Sequence, residues 1–492
     1  MNKKIRQLAF GMMALYVLLF AAMNYWQVGR ASELNAMPSN YRAIRREFDR
    51  PRGEIVTADG VVVARSVANP QGSQFPYLRQ YPTGSLFGGV TGYYSFGYGA
   101  TQVEFTENSV LSGQTAQQYI GNLEDIITGG DGTGTVRLTL RNDLQETARG
   151  ALEGRDGSVV MLDMDGRVLA MYSNPGFDPN LIVDPDFDAA GNALRALLED
   201  GSEPLLNHAY QLRYMPGSTF KVITSGIALE AGVLSLDSPP FDRVTEWVPP
   251  QTTNPIQNYN GSNCGGDLRE VFRRSCNVAF AQTALNVGIP GMLAGTEAWG
   301  IGQRVPIDLP RSAASTFGNN DGLEERLPLL AIRGFGQQEV QMVPLHMAMV
   351  AATVANGGDM MRTYVVDATL DSQGRVLTRT EPSVWLRPIS PDSAATLNEL
   401  MRGVVTDGTA SCCLQLDGGI SVAAKTGTAQ LNSAGEHQET HAWIVAFAPA
   451  EDPQYAVAVM LEGTSEEISA STGGRLAGPI AARMLNTAFA GQ

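Results

Sequence analysis

Tyr214-Met215-Pro216-Gly217-Ser218-Thr219-Phe220-Lys221 decides how the rest of this chain is read. Phe220, Ile223 and Ile227 recur at helical spacing after Pro216-Gly217, and Gly232 is a natural stop. Ser218 opens that helix and Lys221 stands one turn further on, so hydroxyl and amine share a face. Helix N-terminal amides favour negative charge nearby, which suits an attacked carbonyl. A desolvated, neutral lysine in this position can take the serine proton and activate a weak nucleophile. Alone, the pattern is a weak signal.

Lysine usage strengthens it. The chain has four lysines against thirty-one arginines, and Lys3 and Lys4 lie at the extreme N-terminus. The other two, Lys221 and Lys425, complete Ser218-x-x-Lys221 and Lys425-Thr426-Gly427-Thr428. Guanidinium stays charged in proteins, whereas a buried ammonium can release its proton. An arginine-biased composition explains the scarcity but not the placement. Lys221 is expected to rest deprotonated, with Lys425 working as a charge.

Lys425-Thr426-Gly427-Thr428 ends the strand-like Ile420–Ala424. Gly427 would let a substrate backbone approach the strand edge, while the threonine hydroxyls and the lysine hold a carboxylate; a structural β-turn is the plainer reading. Between the two motifs, Ser275-Cys276-Asn277 precedes an apolar helix-like run. A serine there can relay a proton to a leaving amine, and an asparagine offers donor and acceptor to a substrate amide. Read alone, the tripeptide is a helix cap.

The length of 492 residues predicts about two to four domains. A net charge of −15 argues against a nucleic-acid partner. Gln7–Gly29 contains no charged residue, so residues 8–28 form the expected transmembrane anchor after a cytoplasmic tail, residues 1–7. Tyr25 and Trp26 would anchor one interface. Gly29-Arg30-Ala31 has a signal-peptidase pattern, but signal peptides use apolar regions of only about 7–15 residues. Lys3, Lys4 and Arg6 before the span nearly balance Arg30, Arg42, Arg45 and Arg46 after it, so charge alone leaves orientation open.

His208, His346, His437 and His441 form no convincing ligand set, and no C-x-x-C spacing occurs, so no metal is expected. Cys264 and Cys276 bracket a short loop and can pair. Adjacent Cys412-Cys413 is not expected to bridge, because the ring is strained; four free or partly buried thiols are the alternative.

Residues 29–145 read as a pedestal domain with short β-like stretches, and Asp131-Gly132-Thr133-Gly134 as a connector. Residues 146–492 open with a hairpin, Ser158–Leu162 and Val168–Tyr172. Pro344–Asn356 reads as a buried central helix. Strands Ile420–Lys425, Ala442–Phe447 and Tyr455–Leu461 come next, then a terminal helix, about Leu476–Ala488, with Pro479 near its first turn. The fold class is α/β, layered, with a sheet joining segments distant in sequence.

The three motifs in this order resemble the penicillin-recognising serine transferases. Tyr214–Lys221 is similar to the Y-x-P-G-S-T-F-K of class B penicillin-binding proteins, and Arg52-Gly53-Glu54-Ile55 with Asp59-Gly60 to their R-G-x-I element. Gly92-Tyr93-Tyr94-Ser95 through Glu104, with Leu111-Ser112-Gly113, resembles a segment of the actinobacterial penicillin-binding protein A subgroup. Gln102, where Gly is usual, and His346, where Gln is common, depart from it.

The resemblance implies an antiparallel sheet flanked by helices plus an all-helical subdomain, on a mainly-β or α+β pedestal of dimerisation type. It implies Ser218 as acylated nucleophile, Lys221 as its base, Ser275 as proton shuttle and Asn277 as orienter of the donor peptide. Lys425 would supply charge, Thr426, Gly427 and Thr428 would bind substrate, and the amides of Ser218 and Thr428 would form the oxyanion hole. The implied activity is D,D-transpeptidation of peptidoglycan stem peptides or their lipid-linked precursor, in growth or division. No cofactor is implied. β-Lactams would inhibit, and a separate membrane glycan polymerase with divisome or elongation proteins would be partners. A D,D-carboxypeptidase or β-lactamase would use the same acylation site.

Overall fold

The computed structural model describes residues 2–25, 45, 47–69, 75–115, 118, 132–432 and 439–491. Residues 26–28 of the expected span with Trp26, the Gly29-Arg30-Ala31 pattern, Arg42, Arg46, Asp131 and His437 lie outside these. Helix Asn2–Asn24 opens the chain. Its stretch Lys3–Asn24, mean hydropathy 1.7 and unburied, is long and apolar enough to cross a bilayer.

Two sheets organise the remainder of the chain. The catalytic sheet runs Ala423–Gln430, Thr440–Ala448, Tyr455–Leu461, Gly157–Asp163, Val168–Asn174, antiparallel throughout. The expected hairpin is thus one side of the sheet and Ala423–Gln430 is the opposite edge. Thr440–Ala448 and Tyr455–Leu461 are buried along their whole length, as strands covered on both faces must be. Helix Pro344–Ala355 packs on the central strands, and helix Gly473–Ala490 packs on them together with Asn142–Leu152. The terminal helix begins three residues before the expected start, so Pro479 sits inside it rather than in its first turn.

The second sheet has six strands: Val376–Arg379, Val366–Leu370, Thr135–Leu138, Ile55–Val56, Val62–Ala68 and Tyr77–Gln80. Its first two strands come from beyond residue 146, so the later part of the chain returns to complete a sheet begun before residue 139. Beside it lies a buried ionic cluster. Glu104 is 0% exposed and takes Arg52 Nε and Arg79 Nε, each at 2.6 Å, on its two oxygens. Tyr81 donates its hydroxyl to Glu104 at 3.0 Å, and the Arg52 guanidinium lies 4.0 Å over the Tyr94 ring. Burial alone would push the Glu104 carboxyl up, but Arg79 and Arg52 outweigh it and hold it below its ordinary value.

The two unusual residues have physical roles. Gln102 has φ 50°, the left-handed backbone where glycine is easier, and its Oε1 accepts the Tyr210 hydroxyl at 2.6 Å. His346 is fully buried, with Nδ1 2.9 Å from the Ser315 hydroxyl and Nε2 2.8 Å from the Trp299 carbonyl. Burial lowers it to about 4, so it stays neutral.

Candidate active site

The serine turn is pressed against the edge strand. Gly217 has φ 53°, and a Cβ there would come within 2.7 Å of the Thr428 carbonyl oxygen. A Cβ on Gly427 would meet the Pro216 carbonyl at 2.6 Å. Only glycines permit this approach. Gly217–Phe220 is a 3-10 turn that runs straight into helix Lys221–Glu230, which puts Ser218 one turn before Lys221 as expected. The Gly217 amide donates to the Gly336 carbonyl at 2.9 Å, and Trp443 Nε1 to the Met215 carbonyl at 3.0 Å. Ser218 itself is half-buried.

Two of the expected residues converge on the hydroxyl of a third, Ser275. Lys425 Nζ donates to Ser275 Oγ at 2.8 Å, and Lys221 Nζ lies 3.2 Å from the same oxygen. Lys221 also donates to the Ser275 carbonyl at 2.7 Å and to Asn277 Oδ1 at 2.9 Å. Both amines are 0% exposed, and Phe280 and Phe335 rings flank Lys221 at 5.4 and 5.8 Å. Burial pushes Lys221 well below its ordinary range, and the nearby Lys425 charge pushes it further. Burial lowers Lys425 to about 7. Two ammonium ions on one hydroxyl are unfavourable, so Lys221 is the neutral partner.

Its hydrogen bonds agree. A neutral amine has two N–H groups, which the Ser275 carbonyl and Asn277 Oδ1 accept, leaving its lone pair free for a hydroxyl proton.

Ser275 holds φ 61°, strained for a side-chain-bearing residue. The strain is supported on both sides. The Ser275 and Cys276 amides cap helix Leu268–Arg273 through Phe272 and Val271 carbonyls at 3.1 and 3.0 Å. Cys276 is bridged to Cys264, the expected pairing. Asn277 begins helix Asn277–Ala298, as the cap reading also required.

The sequence left parts of the site unseen. Buried Asn258 accepts the Asn277 and Val278 amides at 2.8 and 3.1 Å, capping that helix from a distant loop. Gly336 underlies the serine turn, where a side chain would collide with the Gly217 carbonyl. No spacing in the sequence marks either residue.

Two expectations are corrected. Lys425-Thr426-Gly427-Thr428 does not end a strand but lies within Ala423–Gln430, because eight residues pair in unbroken register with Thr440–Ala448. Pairing overrides the turn preference of Thr-Gly. Cys412 and Cys413 are also bridged. They sit in a tight turn, Cα atoms 3.7 Å apart, that closes through Cys413 and Leu414 amides on the Ala410 carbonyl at 3.0 and 3.1 Å. Both Cys412-Cys413 and Cys264-Cys276 are therefore disulfides, and no free cysteine remains among the described residues.

Comparison with known proteins points the same way. Residues 157–486 match the penicillin binding protein transpeptidase domain and residues 52–136 the penicillin binding protein A dimerisation domain. The chain is 38% identical to the peptidoglycan D,D-transpeptidase PbpA of Mycolicibacterium smegmatis, over 98% of this chain and 97% of that protein. It is 34% identical to PbpA of Mycobacterium tuberculosis over 100% of both. Its fold is similar to that of penicillin-binding protein A from M. tuberculosis, solved as a ceftriaxone acyl-enzyme: TM-score 0.82, 33% identity, 90% of this chain and 99% of that one. With a lysine pair closing on the Ser275 hydroxyl, and relatives matched from end to end, the chain belongs to the penicillin-binding protein transpeptidase family.

Proposed function

We propose that this chain is a peptidoglycan D,D-transpeptidase, bound to the membrane, that works through an acyl-enzyme on Ser218. The observation that carries the mechanism is the convergence of Lys221 and Lys425 on the Ser275 hydroxyl. Neutral Lys221 takes the Ser218 proton as the oxygen attacks the D-Ala-D-Ala carbonyl. The Ser218 and Thr428 amides stabilise the developing oxyanion, a reading supported by the close approach of the serine turn to the edge strand at Gly217.

Ser275 then passes a proton to the departing D-Ala amine, and Lys425 holds the Ser275 oxygen as charge moves. Ala423–Gln430 is an edge strand, so a stem peptide can lie along it with its terminal carboxylate at Thr426 and Thr428. A neighbouring stem's amine resolves the acyl-enzyme, and a β-lactam in the same place leaves a stable adduct.

The chain is organised accordingly: tail 1–7, anchor 8–28, pedestal 29–145 and transpeptidase 146–492, with the catalytic part outside the cytoplasm where the stem peptides are. The pedestal is too short for a glycosyltransferase, so a separate membrane protein polymerises glycan.

A labelled penicillin tests the assignment. Wild type is expected to form a long-lived adduct and Ser218→Ala almost none, read by intact mass. Undiminished labelling of Ser218→Ala defeats the assignment, and rapid adduct release moves it to a β-lactamase-like hydrolase.

The lysines set a pH prediction. Lys425 titrates at about 7, charged below and neutral above. Acylation is expected to rise with pH as Lys221 loses its proton, then fall above neutrality as Lys425 loses its charge. Lys425→Arg keeps that charge at every accessible pH. Its acylation rate is lower, but the alkaline fall disappears from its profile.

A further inference from the structure

The bridge Cys412–Cys413 lies outside the catalytic machinery, and its surroundings differ from those of the other disulfide. Cys264 and Cys276 are 3% and 1% exposed, whereas Cys412 is exposed and Cys413 half-buried. An attacking thiolate reaches Cys412 but not the buried pair.

The turn carrying the bridge is wedged between three walls of the site. Thr409 donates its amide to the Arg273 carbonyl at 3.3 Å, and Arg273 Nη1 donates to the Asp407 carbonyl at 3.2 Å, joining the turn to the helix before Ser275. The Thr409 hydroxyl is 2.6 Å from the Thr426 hydroxyl, on the substrate-binding strand. Against the terminal helix, a Cβ added to Gly478 would meet the Cys413 carbonyl at 3.1 Å.

We propose that Cys412–Cys413 is a reducible modification site, its co-reactant a dithiol, through which Thr409 tunes acylation at Ser218. One thiolate of the dithiol attacks Cys412 Sγ, forming a mixed disulfide and releasing Cys413 as a thiolate, which takes a proton. The second thiol attacks the mixed disulfide and frees Cys412. Two electrons and two protons pass to the protein, and the reductant leaves as its disulfide. Opening the ring frees the backbone of both cysteines, the turn loosens, and Thr426 loses its Thr409 partner. Thr409 is a positioning residue, because it acts through Thr426. The inference rests on the proposed role of Thr426 in binding the substrate carboxylate.

Full-length protein in detergent is treated with dithiothreitol, alkylated and mapped by peptide mass. Alkyl groups are expected on Cys412 and Cys413 with Cys264–Cys276 intact. The second-order acylation constant for a labelled penicillin then falls about fivefold, the size of one neutral hydrogen bond. Cys412→Ser/Cys413→Ser acylates at that lower rate and ignores dithiothreitol. Thr409→Val is slow in either redox state, with the loss in penicillin binding rather than the acylation step, and Thr409→Ser recovers the wild-type constant.

An unchanged constant after reduction confined to the turn overturns the proposal, as does prior labelling of Cys264 or Cys276, or a response that survives in the double variant. Should that variant not fold, reduced wild type decides: reoxidation must restore the rate, and failure to do so also overturns the proposal. Undiminished labelling of Ser218→Ala would instead remove the site reading, so the two failures are distinct.

Discussion

Lys221→Arg is expected to lower the acylation constant for a labelled penicillin by about a thousandfold, within the range assigned to a positioned general base. Were Lys221 acting only as a charge, arginine, positively charged and of similar length, would be tolerated. As a proton acceptor it would not: guanidinium has no lone pair available at neutral pH. The pocket adds a second obstacle, because Lys425 occupies the other side of the Ser275 hydroxyl at 2.8 Å and the permanent guanidinium charge would face its ammonium there. Lys221→Met separates the two effects. It removes the base without adding charge, so it should fold like wild type and still fail to acylate. Stopped-flow labelling with a thermal melt on each variant checks this; a Lys221→Arg enzyme within tenfold of wild type would show that Lys221 is not the base.

Glu104→Ala carries the largest expected effect on stability, about 3–5 kcal/mol, because it strands two buried guanidiniums. Glu104→Gln should cost less, since one amide oxygen still accepts. The pH dependence has a definite sign. The Glu104 carboxyl is held below its ordinary value, so its contribution is complete above the ordinary carboxylate range, about 4, and is lost as pH falls through the depressed value. Wild type should therefore lose pedestal stability in acid while Glu104→Ala, already lacking the pair, changes less. Thermal scans followed by hydrogen exchange in peptides from Val62–Ala68 and Tyr77–Gln80 and by penicillin labelling distinguish loss of the second sheet from loss of the site, since a chain of several units need not unfold in one step. A melt for Glu104→Ala that matches wild type would show the cluster contributes nothing.

The sequence made the chemistry legible where it was local. Ser218 and Lys221 share one helical turn, and the scarcity of lysine singled out Lys425 before any strand was placed. Helix Pro344–Ala355 and the hairpin Gly157–Asn174 were legible because continuous apolar runs bounded by turn residues define them. Contacts made across long sequence separations stayed hidden. Nothing near Asn258 announces that it caps a helix beginning at Asn277. Ser275 carries ordinary composition around it, and its left-handed backbone follows from helix capping and a disulfide rather than from its own preference. The pair Cys412-Cys413 was misjudged because ring closure was weighed without the turn that holds the two residues in place.

The shared second sheet sets an order in time. Arg137 pairs with Asp367 across 230 residues of chain, and Val366–Leu370 hydrogen-bonds along Thr135–Leu138. A chain that emerges N-terminus first therefore presents Thr135–Leu138 with an open edge until synthesis has reached Val366–Leu370. The sheet begun at Ile55–Val56 is finished only when Val366–Leu370 and Val376–Arg379 arrive, and closing that long loop is slow relative to local helix formation. Gly157–Asp163 waits longer still, for Tyr455–Leu461, so each sheet holds a strand edge that must be kept from other chains until late in synthesis.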